Sequence, residues 1–401
     1  MKPLIELATD EQRRILQAAA AIASESGIGA WVVGGPVRDA LLGKPFGDVD
    51  FTLESGAAQF ATRLATVLGG RIRQFDEFMT LRIDLPSKET IDVATTRAEE
   101  YPTPGALPRV RPAGLVEDLR RRDFTVNALA LNLVSGSIED PFEGIADLER
   151  GLLRVLHAGS FRDDPTRMFR AARLAARLGF ELEESTAALM QEALAAAAMD
   201  RVSRERRWRE LRLAIGEADP AGALFELASR GTLDSLLGAV HRGAVLKERL
   251  SVAASIIAKE PELDAELLLL AALVSEGPDL RGSALSRRRI DALRILIDRE
   301  RFAAGIESGA IGARDFAAAP EELLALLERD PDLREAASRE RTARRIELPF
   351  RGHELGLPQG PHLGRAFRDT REAIASGKIT RDEALSFARS RALEYLRGEA
   401  S

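Results

Sequence analysis

Asp48 and Asp50, two residues apart in "DVDFTL", put two hard carboxylates on one side of any extended segment, because side chains alternate along a strand. Such a pair repels itself unless a cation sits between the groups. Mg2+ suits, since it takes oxygen ligands and keeps places for phosphate and water. The plain alternative is a pair of solvated edge-strand aspartates. Asp92 in "IDVAT" falls on a neighbouring predicted strand and offers either a third carboxylate or an ordinary exposed strand residue. Upstream, Gly34 and Gly35 in "GGPVRDALLG" end one predicted strand and open a helix. Their N–H groups are expected to face an anion beside the metal. Arg38, one turn into that helix, reaches toward the same anion, with Asp39 to orient it. A glycine pair before a helix also serves a tight turn with no ligand at all.

Two later segments carry groups of similar kind. "RRDFTVNALAL" holds Arg122, a forked donor suited to a triphosphate, together with Asp123 and Asn127,. The same string also reads as a capped helix start with a surface charge cluster. In "DDPTRMFRAARLAARLGF", Asp164 and Arg167 stand three apart, which on a helix places them on one face,. They form either a simple intrahelical ion pair or, together, a set of acceptors and donors. "RVSRERRWREL" and "RERTARRIELPFRGH" are arginine-rich, and two basic segments separated by helices suit an RNA backbone better than a small acid,. Neither interleaves aromatics for base stacking.

The elements that must hold these residues follow from periodicity. "TDEQRRILQAAAAIASESG" predicts a helix capped by Thr9 and closed by Gly27,. "AWVVGG" predicts a buried strand, Pro36 the first turn of a helix through Leu42, and "DVDFTL" a strand. A helix over roughly Ala57 to Leu68 precedes the strands "GGRIRQF", "MTLRIDL" and "TIDVATT", with a turn at Pro86-Ser87-Lys88,. This is an α/β unit with a meandering sheet. Beyond about residue 140 the strand signal disappears and helices run to the end, so the fold class expected is α+β, an α/β head followed by an all-helical body.

Composition narrows the chemistry. A chain of 401 residues is long for one core,. With 45% hydrophobic and 30% charged residues it falls in the globular class rather than the disordered one,. The absence of cysteine excludes disulfides, thiolate metal sites and a Cys nucleophile,. The early charges in "MKPLIELATDEQRRILQ" argue against a signal peptide, and no apolar run reaches membrane-spanning length, so a cytoplasmic protein is expected,. The four histidines lack zinc spacing, and no G-x-S-x-G, Walker A or Rossmann string occurs,. A net charge of −6 does not advertise nucleic-acid binding, although bulk charge can hide local basic surface,.

"VVGGPVRDALLG" followed by "DVDFTL" resembles the signature of the nucleotidyltransferase superfamily, in the branch of bacterial-type (class II) tRNA CCA-adding enzymes and poly(A) polymerases. The likeness continues through "RRDFTVNALAL", "EDPFEGIADLERGLLRVL", "DDPTRMFRAARLAARLGF", "SRERRWREL" and the late "GLPQGPHLGRAF". It implies a polymerase beta-like catalytic head over 1–137, a helical neck with the nucleotide-selecting motif over 138–215, and an RNA-binding helical body and tail over 216–401. Asp48 and Asp50 would then hold Mg2+, with Asp92 a third catalytic carboxylate. Gly34, Gly35, Arg38, Arg122, Asp123 and Asn127 would contact the nucleotide. Asp164 and Arg167 would read its base edge, with Arg170 and Arg206 also on the nucleotide side.

The activity implied is template-independent addition of CCA, or of the terminal A, to the tRNA 3′ end from CTP and ATP. CC addition, poly(A) synthesis and non-catalytic RNA binding are the alternatives. The last predicts decay of carboxylates that are in fact present. Asp163 departs from the family, which more often has Glu there. The Pro-rich "YPTPGALP" resembles some A-adding members, and the retained length of this loop argues against a CC-only enzyme.

Overall fold

The first long helix is bounded by its own sequence. Helix α1 (Lys2–Leu7) leads into α2 (Asp10–Ser26), where Thr9 Oγ1 accepts from the Gln12 N–H and the Gln12 side chain accepts from the Thr9 N–H. Gly27 closes the helix in the left-handed region,. A computed structural model describes residues 2–75, 79–308, 310–311, 316 and 318–398. The chain divides into two units, Met1–Leu236 and Leu237–Ser401.

The first unit is built on a sheet. Strand β1 (Ala30–Val33) is buried along its whole length, as a central strand should be,. After it come α3 (Gly35–Leu41), β2 (Phe51–Leu53), α4 (Ala57–Leu68), β3 (Arg71–Phe75), β4 (Thr80–Asp84) and β5 (Thr90–Thr95). Strand β6 (Arg97–Glu100) pairs antiparallel with β7 (Arg109–Pro112) as a separate ribbon, and α5 (Leu115–Arg120) leads to β8 (Ala130–Asn132) and β9 (Ile138–Glu139). Among the described residues the main sheet has the order β3-β4-β5-β2-β1-β8-β9. Only β2 and β5 run parallel; the other neighbours are antiparallel. Helix α4 covers it with Phe60, Ala61, Leu64 and Leu68, and Phe60 meets Phe51 edge to face at 5.8 Å,.

Helices follow, as expected, yet strand does not vanish after residue 140. Helix α6 (Gly144–Arg150) precedes β10 (Leu152–Leu153), and α7 (Ser160–Asp163) and α8 (Arg167–Leu178) precede β11 (Glu181–Leu182). The two short strands pair in parallel, a ladder too brief to leave a period-2 pattern. Helices α9 (Glu184–Ala195), α10 (Arg204–Ile215) and α11 (Pro220–Ser229) complete most of this unit. Trp208 of α10 is fully buried.

The second unit is helical. Residues Leu267 to Leu273 are buried on every side of their helix, and Phe350, Leu355, Leu363 and the alanines 366, 384, 388 and 392 form a separate small core. The arginines of "RERTARRIELPFRGH" do not form an open basic surface here. Arg341 is buried and pairs with Glu260, Glu321 and Glu328, while Arg344 pairs with Glu321 and Glu340. Those two charges are neutralised by Glu340 on the same helix and by Glu260, Glu321 and Glu328 from outside it.

Candidate active site

The two aspartates of the opening motif sit just ahead of their strand, not within it. Strand β2 begins at Phe51, and residues 48–50 are its extended approach, tied to β1 by the Val33 N–H donating to the Asp50 carbonyl at 3.3 Å. The alternation still holds: Val49 is buried, Asp48 exposed and Asp50 half-buried. Phe51 pairs in parallel with Val93, so Asp50 lies beside Asp92 across β2 and β5. Burial, then the charges of Asp92 and Asp48, push the Asp50 carboxyl up to about 6 against the pull of Arg122,. Asp92 gives both oxygens to Arg82, Nε to Oδ1 and Nη2 to Oδ2, each at 2.7 Å.

Above this row lies a cleft of about 450 Å3 lined by seven arginines and four carboxylates, a balance that favours an anion,. Asp50 lines it and Asp48 does not. Gly34 stands at its edge with φ +77, and a Cβ there would lie 2.9 Å from Arg122 Nη1. The backbone conformation therefore favours glycine, and a side chain there would also have to displace the Arg122 guanidinium,. The Gly34 N–H is not aimed at a ligand: it donates to the Leu129 carbonyl at 3.0 Å. The phosphate-facing expectation fails for that amide and survives only for Gly35, the first residue of α3.

Arg122 does not open a helix; Arg121 closes α5, and the segment turns through Thr125–Asn127 into β8. Arg122 leans on Asp118, which is wholly buried, at 3.3 Å, and its Nε has no hydrogen-bond partner among the described residues. Arg121 is held by the same Asp118 and by Glu99.

Asp123 and Arg38 are more constrained than their types suggested. Asp123 Oδ1 accepts from the Phe124 N–H and from Asn127 Nδ2, and Oδ2 accepts from Arg170 Nε at 2.7 Å. Burial alone would raise the Asp123 carboxyl; Arg170 and Asn127 outweigh it and hold the group at about 2,. Asn127 Oδ1 accepts from Arg38 Nη1 at 2.6 Å, and Arg38 also donates twice to Asp39. Arg170, Asp123, Asn127, Arg38 and Asp39 thus form one continuous chain of hydrogen bonds on the cleft floor.

Asp164 and Arg167 do not share a helical face. Asp164 lies between α7 and α8 with extended backbone (φ −131), because the next residue is Pro165 and a residue before proline avoids the helical region,. Its Oδ1 accepts from the Thr166 N–H, Thr166 Oγ1 and Arg206 Nη2. Oδ2 carries none of these bonds. Arg167 is buried and donates to Ser160 Oγ and the Arg121 carbonyl, both at 2.6 Å, which leaves about three of its N–H groups without a partner among the described residues,. Arg206 is not part of the lining: it ties Asp164 to the Gly105 carbonyl.

The lining includes residues that were not singled out within the motifs. Arg173 and Arg177 follow Arg170 at helical spacing and pair with Glu217, so the α8 periodicity could have found them,. Tyr101 and Glu99 come from the β6–β7 ribbon, with the Tyr101 hydroxyl donating to Glu99 at 3.0 Å. Only the non-local pairing of that ribbon brings them in.

Carboxylates on a mixed sheet beneath an arginine-lined cleft are the layout of a nucleotide-transferring head. Residues 30–154 match the family model described as Poly A polymerase head domain. An A-adding tRNA nucleotidyltransferase of Halalkalibacterium halodurans is 37% identical over 235 residues, 57% of this chain and 55% of that protein. The chain therefore spans about half the length of that relative. A CC-adding tRNA nucleotidyltransferase of Deinococcus radiodurans is 34% identical over 354 residues, 87% of this chain and 85% of that protein. The chain belongs to the tRNA nucleotidyltransferase family. A solved CCA-adding enzyme without ligand superimposes with a TM-score of 0.79 at 25% identity, covering 100% of this chain and 98% of the other. Among the described residues no helix is long and apolar enough to cross a membrane.

Proposed function

We propose that this protein adds nucleotides to the 3′ end of tRNA without a nucleic-acid template, drawing on ATP and CTP and building CCA or its terminal A. The observation that carries the reading is one cleft lined by Asp50, Arg122 and Asp164, in which Asp164 Oδ2 has no hydrogen-bond partner among the described residues. The chain falls into a catalytic head (1–137), a neck that carries the base-reading residues (138–215) and an RNA-binding helical remainder (216–401). The setting is the cytoplasm.

The donor set fits a divalent cation. Asp48 and Asp50 are hard oxygen ligands two residues apart with Asp92 alongside, and they would hold Mg2+,. When bound, the ion supplies neutralisation of phosphate charge and a lowered pKa for the attacking 3′-hydroxyl. Arg122, backed by Asp118 and pressed against Gly34, positions the triphosphate beside Asp50,. Gly35 and Arg38 border the same place.

At the far end Asp164 Oδ2 accepts from the exocyclic amine of cytosine or adenine, and Arg167 donates to a ring nitrogen or carbonyl. Uracil and guanine would leave buried polar groups unpaired there. Asp123, Asn127 and Arg170 brace this wall. Arg206 fixes the orientation of Asp164.

The test is incorporation of each NTP with Mg2+ on tRNAs ending at the discriminator base, at C and at CC. CTP followed by ATP identifies complete CCA addition, and ATP only after CC identifies terminal A addition. CTP alone identifies CC addition, the reading favoured by the Deinococcus relative that aligns over 85% of its length. No incorporation on any substrate refutes the proposal. Asp50→Asn is expected to lower turnover by about a thousandfold or more while tRNA binding persists. Full activity in that variant would remove Asp50 from the site.

A further inference from the structure

Arg82 and Asp92 stand directly opposite each other in the antiparallel β4–β5 register, on one face of the sheet,. Both guanidinium contacts are 2.7 Å, so the pair is a fork meeting both oxygens of a carboxylate,. The Arg82 guanidinium also lies 5.7 Å from the centre of the Phe75 ring, which steadies it in that position,. On the other side of Asp92 the parallel register places Asp50. Three neighbouring sheet positions therefore read cation, carboxylate, carboxylate.

This row has a consequence for metal binding. Each oxygen of a fork-held carboxylate keeps a second lone pair, but the guanidinium fixes the group's orientation and neutralises its charge, so it opposes ligation of a cation by Asp92,. Among the described residues no three Asp, Glu, His or Cys side chains are arranged to hold one ion together. The pair is partly exposed, 38% for Arg82 and 31% for Asp92, so it is of the kind that breaks at modest cost,.

We propose that Arg82 is a built-in counterion that competes with the divalent metal for Asp92. Without metal it neutralises the carboxylate row. With metal, Asp92 turns from Arg82 toward Asp50. Arg82 is thus a positioning residue, acting through Asp92. The inference rests on the reading of Asp48 and Asp50 as metal ligands. The opposing possibility is a permanent strut, in which Asp92 stays with Arg82 throughout and never meets the ion.

Titration of the full chain with Mn2+, followed by the electron paramagnetic resonance of the free ion, separates the two. Competition predicts that Arg82→Met tightens Mn2+ binding by about fivefold, the scale of a partly exposed pair. Arg82→Lys, which keeps the charge and loses the fork, falls between Arg82→Met and the natural protein. Neither substitution tightens binding when Asp92→Asn is also present. Unchanged or weaker Mn2+ binding in Arg82→Met overturns the proposal, and unchanged binding in Arg82→Lys does so if the Met variant does not fold. Asp50→Asn is the control. Mn2+ binding lost there but indifferent to Arg82 leaves the metal site standing and removes the competition. Mn2+ binding indifferent to Asp50→Asn removes the metal site, and the competition with it.

Discussion

Asp123 is buried on the floor of the cleft, and the cation that makes its burial tolerable is Arg170. The perturbation that exposes this dependence is Arg170→Met, which keeps the length of the side chain and removes the charge. In the folded chain Asp123 titrates at about 2 against an ordinary 3.8. That shift is worth about 2 kcal/mol of folding stability near neutral pH, net of the burial that opposes it. Without Arg170 the burial remains and the largest opposing charge is gone, so the carboxyl moves back up toward its ordinary value. Stripping one partner from a buried pair costs about 3 to 5 kcal/mol. The Arg170 side chain is 50% exposed, which discounts that range,. The expected loss is therefore about 2 kcal/mol at pH 7.

Urea unfolding followed by tryptophan fluorescence reads this loss in the right place. The chain has two tryptophans, Trp31 and Trp208, and both are buried in the first unit. The sign of the pH dependence follows from the direction of each shift. In the natural protein the folded value of Asp123 is depressed, so its stabilisation is complete above about pH 4 and is lost as pH falls toward 2,. In Arg170→Met most of that depression is gone, so little of this stabilisation remains to be lost in acid,. The difference between the two proteins should be constant from pH 7 to about 5 and close below about 4. A variant within about 0.5 kcal/mol of the natural protein at pH 7, or a gap that stays open in acid, would refute the reasoning.

Arg167→Met should lower the preference for CTP and ATP over UTP and GTP by about ten- to a hundredfold in single-turnover incorporation, since its uncommitted donors are the ones that select. An unchanged preference assigns base choice elsewhere. Gly105→Ala should destabilise the first unit by about 1–2 kcal/mol in the same fluorescence assay and hasten proteolysis within 101–108. Gly105 has φ +78, and a Cβ there would lie 3.0 Å from both the Cβ and the carbonyl oxygen of Arg201. Wild-type stability would mean that this loop is not pinned by that contact.

The parts of the site that were legible in the sequence are those fixed by local rules. Thr9, Gly27 and the Ala57–Leu68 helix fall where caps and periodicity put them, because the interactions that set them span three or four residues. The alternation of burial over Asp48, Val49 and Asp50 survives even though β2 starts at Phe51, three residues later than expected. Asp164 was legible and misread: Pro165 follows it, and a spacing of three carries no helical meaning across such a boundary,.

What the sequence does not encode locally is who partners whom across the sheet. That the Gly34 amide serves Leu129, that Asp123 is spoken for by Arg170 and that Asp92 is held by Arg82 all depend on strand register and helix docking between residues 10 to 95 apart. Spacing can nominate a carboxylate, but whether its oxygens are free is decided by the neighbour that the fold brings alongside. For that reason the carboxylate beside Asp50 is defined less by Asp92 than by the residue opposite it, and a change at Arg82 is the one that tells whether Asp92 belongs to the metal or to the scaffold.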